Sequence, residues 1–161
     1  MKPGDLVMTR VFDAPVTLAW LAWSDSAYVR QWWGPTGFTA PVADMDFRES
    51  GTSLVCMSGH GMELYNTWTY TRIVPHERIA FVLHWADKDG KRIDPSAIGM
   101  PPDMPREVPH LITFKNAGAG RTEMTITESG YVSDAQLEMS RAGLAQCLDK
   151  MAAMFAAAQA G

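Results

Sequence analysis

Three polar side chains stand on strand faces that are otherwise apolar: Arg10 among Leu6, Met8 and Phe12, Asn66 two residues before Trp68, and Glu128 after Met124 and Ile126. An ionised group turned inward without a partner is costly. Pairing Arg10 with Glu128 is the structural way to offset that cost; orienting a ligand, or acid–base work inside a cavity, is the chemical way. Other chemistry finds little support. The histidines His60, His76, His84 and His110 form no HExxH or HxH arrangement, and Cys56 and Cys147 lie far apart without a CxxC partner. No metal and no cofactor is implied, and the two thiols read as reduced and buried. His84 alternates to the opposite face from Trp85 and reads as a surface histidine. Asp87-Lys88-Asp89-Gly90 opens like a calcium loop, but its Gly comes too early and the bidentate Glu is missing, which leaves a solvated turn. Gly118-Ala119-Gly120 lacks the strand-before, helix-after setting of a dinucleotide loop.

Large apolar side chains carry the stronger signal. Trp32 and Trp33 are adjacent and run into Gly34-Pro35. Neighbouring helical side chains point about 100° apart, so one ring can join the core while the other reaches a cavity wall. Trp20 and Trp23 sit at helical spacing and read as core. Trp68, Tyr70 and Trp85 read as cavity lining, because their sheet face collects more bulk than one helix can cover.

These residues must be positioned by mostly two-residue periodicity. Residues 6–12 alternate as a strand, with Arg10 the odd member of an apolar face. Pro15 suits a first helical position, Val16 to Trp23 form a short helix, and Ser24-Asp25 caps a second one that Gly34 and Pro35 stop. From Phe38 to Ser129 strands are predicted at 39–48, 53–58, 63–74, 78–86, 108–115 and 121–129, joined by short Gly-containing turns that favour antiparallel neighbours. One face is the heavier. It carries Met45 and Phe47, Val55 and Met57, Trp68 and Tyr70, then Ile79, Phe81, Leu83 and Trp85, and finally Ile112, Phe114, Met124 and Ile126. The opposite face of the 63–74 strand, Tyr65, Thr67, Thr69 and Thr71, suits solvent.

The cover for the heavy face is a long C-terminal helix. Ser133 with Gln136 is a capping-box signature, followed by Leu137, Leu144, Leu148, Met151 and Phe155 at helical spacing. Gly143 in its middle costs about 1 kcal/mol relative to Ala, which implies a close approach or a space requirement. Residues 87–109 hold five prolines and no aromatic residue and are expected to be irregular. Their Ile98, Met100 and Met104 give either a lid, a dimer arm or a plain loop something apolar to lay on a surface.

A chain of 161 residues with 47% hydrophobic residues and a net charge of −4 can bury a full core as one domain spanning 1–161. The absence of a Lys/Arg cluster argues against nucleic acid as a partner. No apolar run approaches membrane-spanning or signal-peptide length, so no membrane partner and a cytoplasmic location are expected.

The order of strand, two short helices, six strands and a long helix resembles the α+β helix-grip fold of the START, birch-pollen-allergen or SRPBCC superfamily. Within it the chain resembles the activator of heat-shock-protein-90 ATPase homologue family of small bacterial proteins. The resemblance is carried by Arg10-Val11-Phe12-Asp13-Ala14-Pro15, Ala22-Trp23-Ser24-Asp25, Trp32-Trp33-Gly34-Pro35 with Gly37-Phe38, and Asp46-Phe47-Arg48 before Gly51. Tyr70 ahead of Ile73-Val74-Pro75, Glu77-Arg78-Ile79 and the segment Leu148 to Met151 extend it over nearly the whole chain. It implies a curved antiparallel sheet of about seven strands gripping the helix around an apolar cavity, and it supplies no shared catalytic set. Members often carry Gly-Trp at Gly143-Leu144 and Gly at Trp68, so bulk has moved here from helix to sheet.

The expected function is therefore binding of a small hydrophobic or amphipathic molecule. Wall residues are expected to be Trp33, Phe38, Met45, Phe47, Met57 and Trp68, together with Tyr70, Phe81, Trp85, Ile112, Phe114 and Leu144. Arg10, Asn66 and Glu128 are the candidate polar orienting groups. A cyclase, dehydratase or hydrolase using one of those polar groups is the enzymatic alternative. The family resemblance adds a chaperone ATPase co-factor or stress-response role, against which stands the additional N-terminal domain of the eukaryotic co-chaperone. A homodimer is left open.

Overall fold

A computed structural model describes residues 4–160. In chain order the elements are β1 (Gly4–Phe12), α1 (Val16–Ser24), α2 (Ser26–Trp32), β2 (Thr39–Asp44), β3 (Thr52–Gly59), β4 (Met62–Val74), β5 (Arg78–Ala86), a 3₁₀ turn (Pro95–Ile98), β6 (Glu107–Gly118), β7 (Arg121–Tyr131) and α3 (Asp134–Ala160). The strands form one curved antiparallel sheet in the order β1-β7-β6-β5-β4-β3-β2. β1 therefore pairs with the last strand, and α1 and α2 lie between the two edge strands in sequence.

Local chemistry sets the strand reversals. At β3–β4 and β6–β7 the two turn residues, His60-Gly61 and Ala119-Gly120, all have positive φ, the geometry whose twist matches a tight hairpin. Between β4 and β5 the Glu77 N–H donates to Val74 O at 3.0 Å, with Pro75 and then His76 at φ +64° between them, as a Pro-led type II turn requires. β2 ends at Asp44, four residues short of the expected 48, because residues 46–51 curl into a turn in which Gly51 N–H donates to Arg48 O at 2.8 Å. β6 begins at Glu107, so Val108 and Pro109 are strand residues and not part of the irregular excursion.

Asp25 caps α2 by accepting from Ala27 N–H at 2.9 Å. Ser133 Oγ accepts from Gln136 N–H at 3.1 Å at the start of α3, which is half of the anticipated capping box. The Gln136 side chain does not return to the cap; it donates to Asp103 Oδ1 at 3.0 Å in the Pro-rich segment.

The interior is filled by aromatic rings in mutual contact. Trp23 meets Trp32 at 4.5 Å between centroids, Trp33 meets Trp68 at 5.1 Å, and Trp68 stacks on Phe81 at 4.7 Å. Phe47 meets Tyr70 at 5.1 Å, and Trp20 contacts both Phe47 and Phe114. The second half of α3 closes over this mass with Leu148, Met151, Met154 and Phe155, all buried, Phe155 lying edge-on to Phe12.

Two expectations fail here. His84 is buried, at 6% exposure, rather than a surface residue. The chain after β5 doubles back, Ala86 bridging Arg92 and Ile93 N–H donating to Trp85 O at 3.0 Å, and His84 Nε2 pairs with Glu107 at 3.0 Å. Thr67, opposite His84 in the β4–β5 register, is buried with it, so that outer face is solvated only in part. Arg10 does not pair with Glu128. It bonds Asp149 of α3 at 2.8 Å while 30% exposed, because Arg10 lies opposite Met124 and Glu128 lies opposite Leu6, four residues or roughly 13 Å along the strand.

Candidate functional site

The heavy face is not packed throughout. Beneath Met139, Ser140 and Gly143 of α3 a hollow of about 230 Å³ remains between helix and sheet. Its sheet wall includes Met57, Asn66, Leu83, Trp85 and Val108, its helix wall includes Gly143, Leu144 and Cys147, and Met100 and Met104 of the Pro-rich segment lie at one side. Trp33 and Pro35 close the end next to α2. A Cβ built on Gly143 would meet no atom within 4 Å. The helix glycine is thus explained by space and not by close packing.

Trp33 is held in place from α3. Lys150 Nζ donates to Gly34 O at 2.8 Å, to Phe38 O at 2.8 Å and to Pro35 O at 3.2 Å. Gln146 Oε1 accepts from Thr36 N–H at 2.9 Å. Gly34 adopts φ +99°, and a Cβ there would press on Phe38 Cβ at 3.0 Å and Met57 Cβ at 3.2 Å. The break after Trp32 therefore turns the two adjacent indoles apart. Trp32 is fully buried with its N–H on Ala22 O at 2.6 Å, and Trp33 faces the hollow.

The polar corner of the hollow is a buried cluster of His110, Glu128 and Tyr131. Tyr131 Oη donates to Glu128 Oε1 at 2.6 Å, and His110 Nε2 stands 3.5 Å from Glu128 Oε2. His110 Nδ1 lies 2.9 Å from Val108 O, which only accepts, so Nδ1 carries a proton. Nε2 then faces the Glu128 carboxyl across 3.5 Å. Burial raises the Glu128 carboxyl, but the His110 charge and the hydrogen bonds from His110 and Tyr131 outweigh it, and the net direction is down. The lowered value makes Glu128 the carboxylate of the cluster. Burial, then the Glu128 charge, pushes the Tyr131 phenol up, so it stays a donor. Burial also pushes the Cys147 thiol up to about 11, which leaves it unreactive near neutrality.

Two donors at the hollow are unengaged: neither Trp33 Nε1 nor Asn66 Nδ2 has a hydrogen-bond partner, although both atoms are buried. Trp85 Nε1, by contrast, donates to Pro105 O at 3.1 Å and so ties the Pro-rich segment to the rim.

Of the residues expected to form the site, Trp33, Met57, Asn66, Trp85, Glu128 and Leu144 line this hollow. Trp68, Tyr70 and Phe81 do not; they are fully buried in the stacked interior. Phe38 packs edge-on to His60, and Met45 and Phe47 pack beside the core at the β2 end. Ile112 and Phe114 are core residues on β6, and Arg10 lies at the surface with Asp149. His110 and Tyr131 were missed. The alternation that turns Ile112 and Phe114 inward also turns His110 inward, so that signal was present in the sequence. Tyr131 follows Gly130 at φ +100°, and this irregularity turns an odd-numbered residue to the face of Met124, Ile126 and Glu128.

A seven-stranded antiparallel sheet gripping a long C-terminal helix, with two short helices after the first strand and an apolar hollow beneath the helix, defines a helix-grip protein. Residues 13–156 match the family described as activator of Hsp90 ATPase homolog 1-like protein, and the chain belongs to that family. Solved structures agree. A Mycobacterium smegmatis protein is 25% identical with a TM-score of 0.74, over 93% of this chain and 89% of its own. The AHSA1 protein of Silicibacter pomeroyi is 23% identical with a TM-score of 0.75, over 94% and 97%. A Chromobacterium violaceum protein is 23% identical with a TM-score of 0.76, over 95% and 97%. No curated protein matches the chain. Among the described residues no helix is long and apolar enough to cross a membrane.

Proposed function

We propose that the protein binds one small, largely apolar molecule in the hollow between the sheet and the first half of α3. The observation that carries this reading is the hollow itself, kept open by a glycine in mid-helix and walled mainly by Met, Trp, Leu and Val side chains. An apolar cavity of roughly 150 Å³ holds benzene, so a volume of about 230 Å³ suits a body of one or two rings. Burial at about 25 cal/mol per Å² supports affinity in the micromolar range once ordering costs are subtracted. The test is native mass spectrometry of freshly purified protein, with extraction of whatever copurifies, beside the Gly143→Leu variant. Wild type is expected to carry or take up an apolar molecule, and the filled variant to lose it while remaining folded. Equal uptake by both would refute this reading.

The His110–Glu128–Tyr131 cluster favours one second reading, proton-transfer catalysis on the bound molecule of the cyclase, dehydratase or hydrolase kind. It requires that Glu128→Gln retain binding and abolish turnover. A variant that turns over substrate at the wild-type rate excludes it.

A further inference from the structure

We infer that the hollow is built for a neutral carbonyl compound, whose oxygen is taken up by the indole N–H of Trp33 and the side-chain amide of Asn66; this rests on the binding function proposed above. Both residues line the hollow, and both nitrogens are buried without a partner. A buried donor left unsatisfied costs about 1–3 kcal/mol, and native interiors keep few of them. Two at one cavity are relieved together by an occupant that brings an acceptor. Half a turn of the Asn66 amide exchanges its nitrogen for its oxygen, but the Trp33 indole can only donate. Trp33 therefore fixes the sign of the complementary group.

Charge narrows the acceptor further. Glu128 already receives Tyr131 Oη at 2.6 Å on one oxygen and faces His110 on the other, so both of its oxygens are engaged. Among the described residues no Lys or Arg lines the hollow. A carboxylate ligand would add a second negative charge beside Glu128 without a counter-ion, which a buried site penalises heavily. An ammonium ligand would find no free carboxylate. A ketone, aldehyde, ester or amide carbonyl meets both conditions, with its apolar body among Met57, Leu83, Val108 and Leu144.

The test compares acetophenone with α-methylstyrene, which has the same shape with CH2 in place of oxygen, and with benzoate. Affinity is measured by calorimetry on the full chain, and the indole N–H signals are followed by ¹H–¹⁵N NMR. Acetophenone is expected to bind about tenfold tighter than α-methylstyrene, equivalent to about 1.4 kcal/mol, and to move the Trp33 indole proton downfield. Benzoate is expected to bind more weakly than acetophenone. In Asn66→Leu, and separately in Trp33→Phe, the preference for acetophenone should shrink while α-methylstyrene binding persists. Equal affinities, tighter binding of benzoate, or a preference that survives both substitutions would overturn the carbonyl assignment and leave the apolar pocket standing. Failure of both acetophenone and α-methylstyrene to bind would overturn the pocket reading as well.

Discussion

Glu128 shows how one buried charge is tolerated. Its carboxyl is lowered against the pull of burial because His110 and Tyr131 both favour the ionised form. A lowered folded-state value means that the associated stability is complete above the ordinary carboxyl value of 4.5 and is lost as pH falls through the depressed value. Melting curves between pH 3 and pH 6 should therefore show an acid-side loss in wild type that Glu128→Gln lacks. Removing the partner altogether is harsher. Glu128→Ala leaves Tyr131 Oη and His110 Nε2 without their acceptor and is expected to cost about 1–3 kcal/mol by urea unfolding. Glu128→Gln keeps a side-chain oxygen to accept from Tyr131 Oη and should cost less. Similar costs for the two variants would contradict the role of Glu128 as the acceptor of this cluster. Arg10 gives the contrast: its pair with Asp149 is open to solvent, and Arg10→Ala should change stability by under about 1 kcal/mol.

At the level of elements, α3 does two jobs along its length. Its second half packs on the ring stack, and its first half spans the hollow. Gly143→Ala should raise stability by up to about 1 kcal/mol through helix propensity, since its Cβ meets nothing, and a drop in melting temperature would show that the space is not real. Lys150 binds the turn after α2 through three carbonyls. Lys150→Met is expected to cost about 2–3 kcal/mol and to loosen Trp33, visible as broadening of its indole signal. The Pro-rich segment is ordered by Trp85 and Gln136, which donate to Pro105 and Asp103, and neither tie can be read from composition.

Across the whole molecule, the ring stack decides where the cavity lies. Trp68 fills the middle of the grip between Trp33 and Phe81, and the end beneath Met139 to Gly143 stays open. Trp68→Ala should destabilise by about 3–5 kcal/mol and admit larger apolar ligands, which a chain-length series of alkyl ketones would register. An unchanged size limit would place the boundary elsewhere.

Alternation, turn residues and the long amphipathic run determined the strands, their antiparallel order of folding and the covering helix, because side-chain periodicity is a local property of the backbone. They also placed Glu128, Asn66 and Arg10 on the inward face. Only the tertiary structure decided which inward residues see space. Arg10 and Glu128 share a face but not a register, Tyr131 turns inward through the irregularity at Gly130, and His110 joins Glu128 across the β6–β7 ladder. A void is what remains after every other side chain has packed, so it depends on all of them at once and on no single segment of the chain.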